Sequence, residues 1–176
     1  MIFNSNIFIL FFTAVLLLYW LIRNNQGYRD WLIVVSSFIF YGTWDWRFLG
    51  LLIITGGIDF VSAYKISSSN NPAEKKRWLM LSIISNLGTL GFFKYAGFFL
   101  ESTFHLLEML GIPSTRTVLA IVLPAGISFY TFQALSYTLD VYRGQIKVES
   151  DPVKYFAFLT FFPQLVAGPI ERASFL

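Results

Sequence analysis

Long apolar runs separated by short polar stretches make up most of this chain. Taking about 20 residues as the length that crosses a hydrocarbon core, the pattern predicts six apolar segments, at residues 7–22, 31–44, 48–64, 78–100, 117–139 and 155–170. In lipid each segment must be helical, because backbone groups without hydrogen-bond partners are costly there. The second and sixth segments are short enough to be tilted, bent or re-entrant. We therefore predict an all-α fold, a polytopic membrane helix bundle in which residues 1–176 form a single region.

The stretch between the fourth and fifth segments has a different pattern. In residues 101–111, leucine and phenylalanine share one helical face, while Glu101, His105 and Glu108 recur on the other. This stretch is too short and too polar to span a bilayer, so it predicts a short interfacial helix. The two glutamates are the i−4 and i+3 neighbours of His105, which favours a solvated surface histidine over a catalytic base.

Composition excludes several classes of protein. The chain is 56% hydrophobic and only 13% charged, with a mean hydropathy of +0.61, whereas soluble domains are roughly a quarter charged. It has no cysteine and one histidine, so we expect no disulfide, no thiolate chemistry and no metal site within it. The net charge of +3 comes from residues in the short polar gaps, which argues against a nucleic-acid partner.

The basic residues predict an orientation in the membrane. The gaps after segments one, three and five hold nine of them, namely Arg23, Arg29, Lys65, Lys75, Lys76, Arg77, Arg143, Lys147 and Lys154. The opposite side holds three, namely Arg47, Arg116 and Arg172. Because positive loops favour the cytoplasm, the N-terminus is predicted to lie outside the cell membrane. This orientation requires a turn at residues 43–48.

Two ionisable residues fall inside the apolar segments, and such residues are functional candidates. Asp59 follows Gly56 and Gly57, which permit close helix approach, and it needs a hydrogen-bond donor from a neighbouring helix or a proton. A structural and a functional role for Asp59 both stay open. Lys94 lies at a different predicted depth, so we expect it to reach the outer interface beside Tyr95 rather than pair with Asp59.

The fifth segment carries the densest polar signal. Tyr130, Gln133 and Tyr137 form a stripe at i, i+3 and i+7, which must face protein or a water-filled cavity. Asp140 and Arg143 follow at the cytoplasmic end, three residues apart and able to pair. The stripe is consistent with contacts that hold helices together or with the wall of a substrate passage.

Prolines and glycines interrupt the apolar pattern at two places. Pro124 and Gly126 allow a bend before the polar stripe. In FFPQLVAGPIERA, residues 161–173, Gln164 lies among two prolines and a glycine, which indicates a broken helix. Since non-helical backbone at membrane depth requires protein or water around it, this stretch could form an entrance or vestibule.

The stretch that contains the polar stripe and the stretch that contains Gln164 resemble signature segments of the membrane-bound O-acyltransferase family, in particular its alginate O-acetyltransferase branch. LPAGISFYTFQALSYTLDVYRG (residues 123–144) and FFPQLVAGPIERA carry the resemblance most strongly. SFIFYGTWDWRFL (residues 37–49) and NLGTLGFFKYAGFF (residues 86–99) add weaker support. The resemblance implies acyl transfer from a cytoplasmic donor, such as acetyl-CoA or an acyl carrier, through a helical funnel to hydroxyls of an exported polysaccharide or envelope polymer.

The resemblance also implies what this sequence lacks. The family's essential histidine lies in a later apolar segment, beyond Leu176, and His105 does not match it. No catalytic residue is therefore assigned. We expect the chain to be the N-terminal portion of a longer enzyme, as a fragment, a frameshift product or half of a split enzyme. We also expect it to be inactive alone. Funnel candidates are Tyr130, Gln133, Asp140, Arg143 and Gln164.

Other functions remain compatible with the sequence. The leading alternative is a non-enzymatic membrane scaffold or partner-binding subunit that retains this bundle, and a small transporter is a third. The basic run at residues 75–77 could attract the phosphates of an acyl donor, although topology and anionic lipid explain it more simply. Expected partners are the lipid bilayer of a bacterial inner membrane, the acyl donor, the polymer acceptor and other envelope-modification proteins.

Overall fold

The computed structural model describes residues 5–111, 123–124 and 126–167. These residues contain no strand and form six helices, namely α1 (Asn6–Leu21), α2 (Gln26–Ser68), α3 (Pro72–Met109), α4 (Ile127–Tyr142), α5 (Pro152–Thr160) and α6 (Phe162–Ala167). Within this part of the chain the predicted all-α fold is confirmed. The predicted break at Gly168 and Pro169, and the start of the segment at residues 117–139, lie outside the described residues.

Polar caps determine where four of the helices begin. A side-chain oxygen of the residue before each helix accepts a backbone N–H of the first turn, which satisfies a group that has no partner inside the helix. The capping residues are Ser5, Asn25, Asn71 and Asp151. Proline occupies the first helical position of α3 and of α5, where its missing N–H costs nothing.

Helix α2 contains the second and third predicted segments, joined by a kink at Asp45. This residue has extended backbone angles, with φ −160° and ψ 113°. Its side chain accepts the backbone N–H of Arg47 at 3.0 Å, so it caps the helical residues that follow. One non-helical residue therefore lies within residues 43–48, and the turn that the orientation requires there stays a prediction.

Helix α3 corrects one prediction. Residues 101–109 do not form a separate interfacial helix, because they continue α3 to a total of 38 residues, or about 57 Å at 1.5 Å per residue. Between Pro72 and Met109 no proline interrupts the helix, and it ends just before Gly111, which has a φ of +70°. His105 is exposed with its Nδ1 4.0 Å from Glu108 Oε2, as predicted for a surface pair.

Helix α4 packs inside the bundle, where it contacts α2, α3, α5 and α6. Its buried side chains include Ile127, Tyr130 and Tyr137, which join Leu52 of α2 and Tyr155 of α5 in one hydrophobic core. Helix α1, by contrast, has no buried residue. Among the described helices, α2 and α3 are long and apolar enough to cross a bilayer, and α1 is a shorter apolar helix. The predicted number of six segments in the membrane stays a prediction.

The two adjacent glycines of α2 have different surroundings. A Cβ atom added to Gly56 would lie 2.7 Å from Leu159 Cδ2 and 3.0 Å from Phe156 Cε1, both on α5. A Cβ atom added to Gly57 would meet nothing within 4 Å. Close helix approach is thus confirmed at Gly56 and is wrong for Gly57, because only one face of α2 packs against α5 at this level.

Candidate functional site

The polar stripe of α4 faces the interior of the bundle. Tyr130 and Gln133 are each 1% exposed and Tyr137 is fully buried. Gln133 Nε2 donates a hydrogen bond of 3.0 Å to the carbonyl oxygen of Phe158 in α5. Because α5 ends at Thr160, this carbonyl has no partner within its own helix. The stripe therefore joins α4 to the end of a short, interrupted helix.

Tyr137 anchors the connection between α4 and α5. Its Oη accepts the backbone N–H of Glu149 at 2.9 Å, and its ring lies 5.0 Å from the ring of Tyr155. A residue in the polar segment after α4 is thereby tied to a buried side chain. This contact brings the start of α5, capped by Asp151, back against the bundle.

The site candidates are divided between two places. Tyr130 lies in the core, where its hydroxyl neighbours that of Tyr41 on α2. Asp140 is half-buried and Arg143 is exposed at the other end of α4, about 15–20 Å along the helix from Tyr130. Within the described residues, Asp140 and Arg143 form no ion pair. Gln164 is half-buried on α6, and its backbone N–H donates to the carbonyl of Phe161.

Asp59 is the centre of a second polar cluster, between α2 and α3. Its carboxylate is fully buried and accepts hydrogen bonds from Ser82 Oγ at 2.5 Å and from Asn86 Nδ2 at 2.7 and 2.8 Å. Both donors lie on α3, one turn apart. The expected donor from a neighbouring helix is confirmed. Lys94 takes no part, since it is exposed with its Nζ 5.6 Å from the centre of the Tyr95 ring.

Sequence reasoning missed Ser82 and Asn86 as partners of Asp59. Their spacing of four residues on an apolar helix was an available signal, because residues at i and i+4 share one face. Asn86 Oδ1, Ser62 Oγ and Tyr155 Oη are also buried here without a hydrogen-bond partner. The bundle interior thus contains a cluster of neutral polar groups around a single carboxylate.

The one described ion pair between carboxylate and guanidinium lies away from this interior. Arg47 Nη2 is 2.6 Å from Asp45 Oδ2, at the kink between the two predicted segments of α2. Hydrogen bonds from Arg47 hold the pKa of Asp45 below its ordinary value. This pair stabilises the kink rather than a site inside the bundle.

Taken together, the fold and the site define a helical bundle with long apolar helices, exposed apolar surfaces and polar side chains turned inward. This arrangement is typical of a polytopic membrane protein. Its outward apolar side chains include Leu17 of α1, Ile54 of α2 and Phe98 of α3.

Comparison with curated proteins shows which membrane proteins this chain is similar to. The chain is 38% identical to the "Probable alginate O-acetylase AlgI" of Pseudomonas syringae over 98% of its length, and 37% identical to the Pseudomonas aeruginosa protein of the same name. It is 33% identical, over 99% of its length, to the peptidoglycan O-acetyltransferase of Helicobacter pylori. The resemblance to the alginate O-acetyltransferase branch is therefore confirmed, and nearly the whole chain is homologous to part of these proteins.

The match covers only part of each relative. The chain spans 33% of the length of both Pseudomonas proteins and 37% of the Helicobacter protein. No protein-family model matches the chain, and no solved structure does.

Proposed function

We propose that this chain forms part of an integral membrane O-acyltransferase. The complete enzyme would transfer an acetyl group from a cytoplasmic donor to hydroxyl groups of an exported polysaccharide or envelope polymer. The observation that carries this proposal is homology along 98–99% of the chain to proteins named as O-acetylating enzymes of alginate and of peptidoglycan. Both names describe acetylation of a polymer.

The α4 stripe would shape the funnel of this enzyme rather than perform its chemistry. Tyr130 and Gln133 are buried and contact neighbouring helices, so in this proposal they would hold the wall of the passage in place. Asp140, Arg143 and Gln164 would lie nearer its ends. The acyl donor, acetyl-CoA or an acyl carrier, would approach from the predicted cytoplasmic side, where the basic residues 75–77 could attract its phosphates.

The catalytic base would come from a part of the enzyme that corresponds to the region of the relatives outside their match to this chain. Acyl transfer to a hydroxyl needs a group that raises the nucleophilicity of that oxygen. His105 is exposed on the last turns of α3 beside Glu108, far from the α4 stripe in sequence and on an outward face. We therefore propose that the isolated chain is inactive and becomes active with the remainder of the enzyme.

Complementation tests this proposal. Membranes would be prepared from cells that express this chain by itself, and from cells that also express the part of the Pseudomonas syringae relative outside its match to this chain. Transfer of labelled acetyl to alginate and to peptidoglycan would then be measured. We expect acetylation only when both polypeptides are present, and unchanged acetylation with His105→Ala. The acceptor that becomes labelled identifies the substrate class.

Two results would contradict the proposal. Turnover by the chain alone would show that it contains its own catalytic residues. Stable co-purification of the two polypeptides without acetyl transfer to either polymer would instead favour the scaffold function.

A further inference from the structure

An apolar groove runs along the outside of the bundle between α1, α2 and the junction of α5 with α6. Its volume is about 320 Å³, within the range of small-ligand sites. The lining includes Phe12, Val15, Leu16 and Tyr19 of α1, Ile33 of α2, and Phe162. Because α1 has no buried residue, the groove opens on a face that the lipid bilayer would surround.

One end of this groove leads to a positive charge. The guanidinium carbon of Arg29 lies 5.4 Å from the centre of the Tyr19 ring, and Arg29 precedes the groove residue Ile33 by one helical turn. The Nε atom of Arg29 is buried and has no hydrogen-bond partner. Asp30 is its acidic neighbour, but within the described residues Arg29 forms no ion pair.

We propose that this groove binds an anionic phospholipid. One acyl chain would lie along Phe12, Val15 and Leu16, and the phosphate would meet Arg29 beyond Tyr19. An arginine fork matches the geometry of phosphate oxygens, and a basic residue at the membrane surface attracts anionic headgroups. The predicted topology places Arg29 on the cytoplasmic side. The inference depends on membrane placement but not on acyl transfer.

Lipid binding by the purified full-length chain tests the proposal. Native mass spectrometry in detergent would compare dioleoylphosphatidylglycerol with dioleoylphosphatidylcholine, which has the same acyl chains and no net charge. We expect preferential retention of phosphatidylglycerol, and about tenfold weaker retention with Arg29→Ala, since a charge-assisted hydrogen bond is lost. Glycerol 3-phosphate should not compete, because it cannot fill the groove.

Two matched controls separate the site from general charge and hydrophobicity. Arg23→Ala removes an arginine from the same polar gap, one that stacks on Trp20 at 5.3 Å instead of on Tyr19, and should leave retention unchanged. Val15→Phe fills the groove and should reduce retention. Val35→Phe makes the same change at an exposed position of α2 outside the groove and should not.

Thermal unfolding in detergent without added lipid would confirm that each variant is folded. Equal losses with Arg23→Ala and Arg29→Ala, no effect of Val15→Phe, or equal retention of the two lipids would each overturn the proposal. Loss of acetyl transfer in the complementation assay, with lipid retention intact, would instead count against the proposed function alone.

Discussion

At the scale of single residues, the buried carboxylate of Asp59 shows which contacts a sequence pattern can predict and which it cannot. An aspartate inside an apolar segment predicted the need for a hydrogen-bond donor on another helix or for a proton, because an unpaired charge is costly in lipid. Which residues would donate was not predictable, since that depends on the rotation and height of α3 against α2. The structure selects Ser82 and Asn86.

Replacement of Asp59 by alanine should destabilise the bundle. The change leaves Ser82 Oγ and Asn86 Nδ2 without the acceptor that they share, at a cost of about 1–3 kcal/mol. Thermal unfolding in detergent micelles measures this loss. Lys94→Ala, which removes an exposed charge from α3, should change stability by less than about 0.5 kcal/mol. Equal effects of the two substitutions would show that the buried cluster does not stabilise the fold.

Asp45 gives a second residue-scale prediction, at the kink of α2. Asp45→Ala removes both the cap on Arg47 N–H and the ion pair, whereas Asp45→Asn keeps a capping oxygen. We expect lower thermal stability for the alanine variant and an intermediate loss for the asparagine variant. If the asparagine variant were as unstable as the alanine variant, the ion pair rather than the cap would hold the kink.

The pH dependence of the same residue follows from its lowered pKa. A carboxyl group whose pKa is lower in the folded chain stabilises the fold above its unfolded pKa, which is about 3.9 for aspartate. That contribution is lost as the pH falls through the folded value. Thermal unfolding measured between neutral and acidic pH should therefore show a smaller acid-induced loss for Asp45→Asn than for the unmodified chain.

At the scale of helices, the apolar pattern predicted the presence of helices better than their starts, since segments were predicted from residues 78 and 155 whereas α3 begins at Pro72 and α5 at Pro152. Capping residues and prolines mark the beginnings of α3 and α5 in the sequence itself. The supposed interfacial helix at residues 101–111 was wrong as a separate element, because a change from apolar to amphipathic pattern does not break backbone hydrogen bonds. Without proline or a left-handed glycine, α3 continues until Gly111.

The contact between α2 and α5 can be tested with adjacent glycines. Gly56→Ala places a Cβ atom against Leu159 and Phe156, and such overpacking costs about 1–3 kcal/mol. Gly57→Ala meets no atom within 4 Å and should be neutral or stabilising by up to about 1 kcal/mol, because alanine favours helix. Thermal unfolding of both variants in detergent makes the comparison.

A second substitution sharpens this test. Leu159→Val shortens the side chain nearest to Gly56, so the double variant should lose less stability than the sum of the single variants. Strict additivity would indicate that Gly56 does not pack against Leu159.

At the scale of the whole molecule, composition and loop charges predict a membrane bundle with its N-terminus outside. Homology to O-acetyltransferases and the two long apolar helices agree with a membrane location. The funnel candidates came from one stripe and one broken segment, but the fold separates them. Tyr130 and Gln133 enter the core, whereas Arg143 stays at the surface.

Cysteine labelling tests the orientation, and the chain has no native cysteine to interfere. Trp46→Cys lies within the predicted outer turn at residues 43–48, and Asn70→Cys lies in the predicted cytoplasmic gap between α2 and α3. Both positions are exposed. A membrane-impermeant maleimide added to intact cells should label the first variant and not the second. The reverse pattern would invert the topology, and labelling of both would contradict a helix spanning between them.

The sequence by itself determined the helical class, the polar caps, the break at Asp45 and the relationship to polymer O-acetyltransferases, because these depend on local pattern and on matching residues. The tertiary structure decided which glycine of α2 packs against α5 and which side chains donate hydrogen bonds to Asp59. It also placed Arg29 beside Tyr19, a residue that lines the apolar groove. Those contacts depend on how whole helices are rotated and shifted relative to one another. The spacing of residues within one helix does not specify that arrangement.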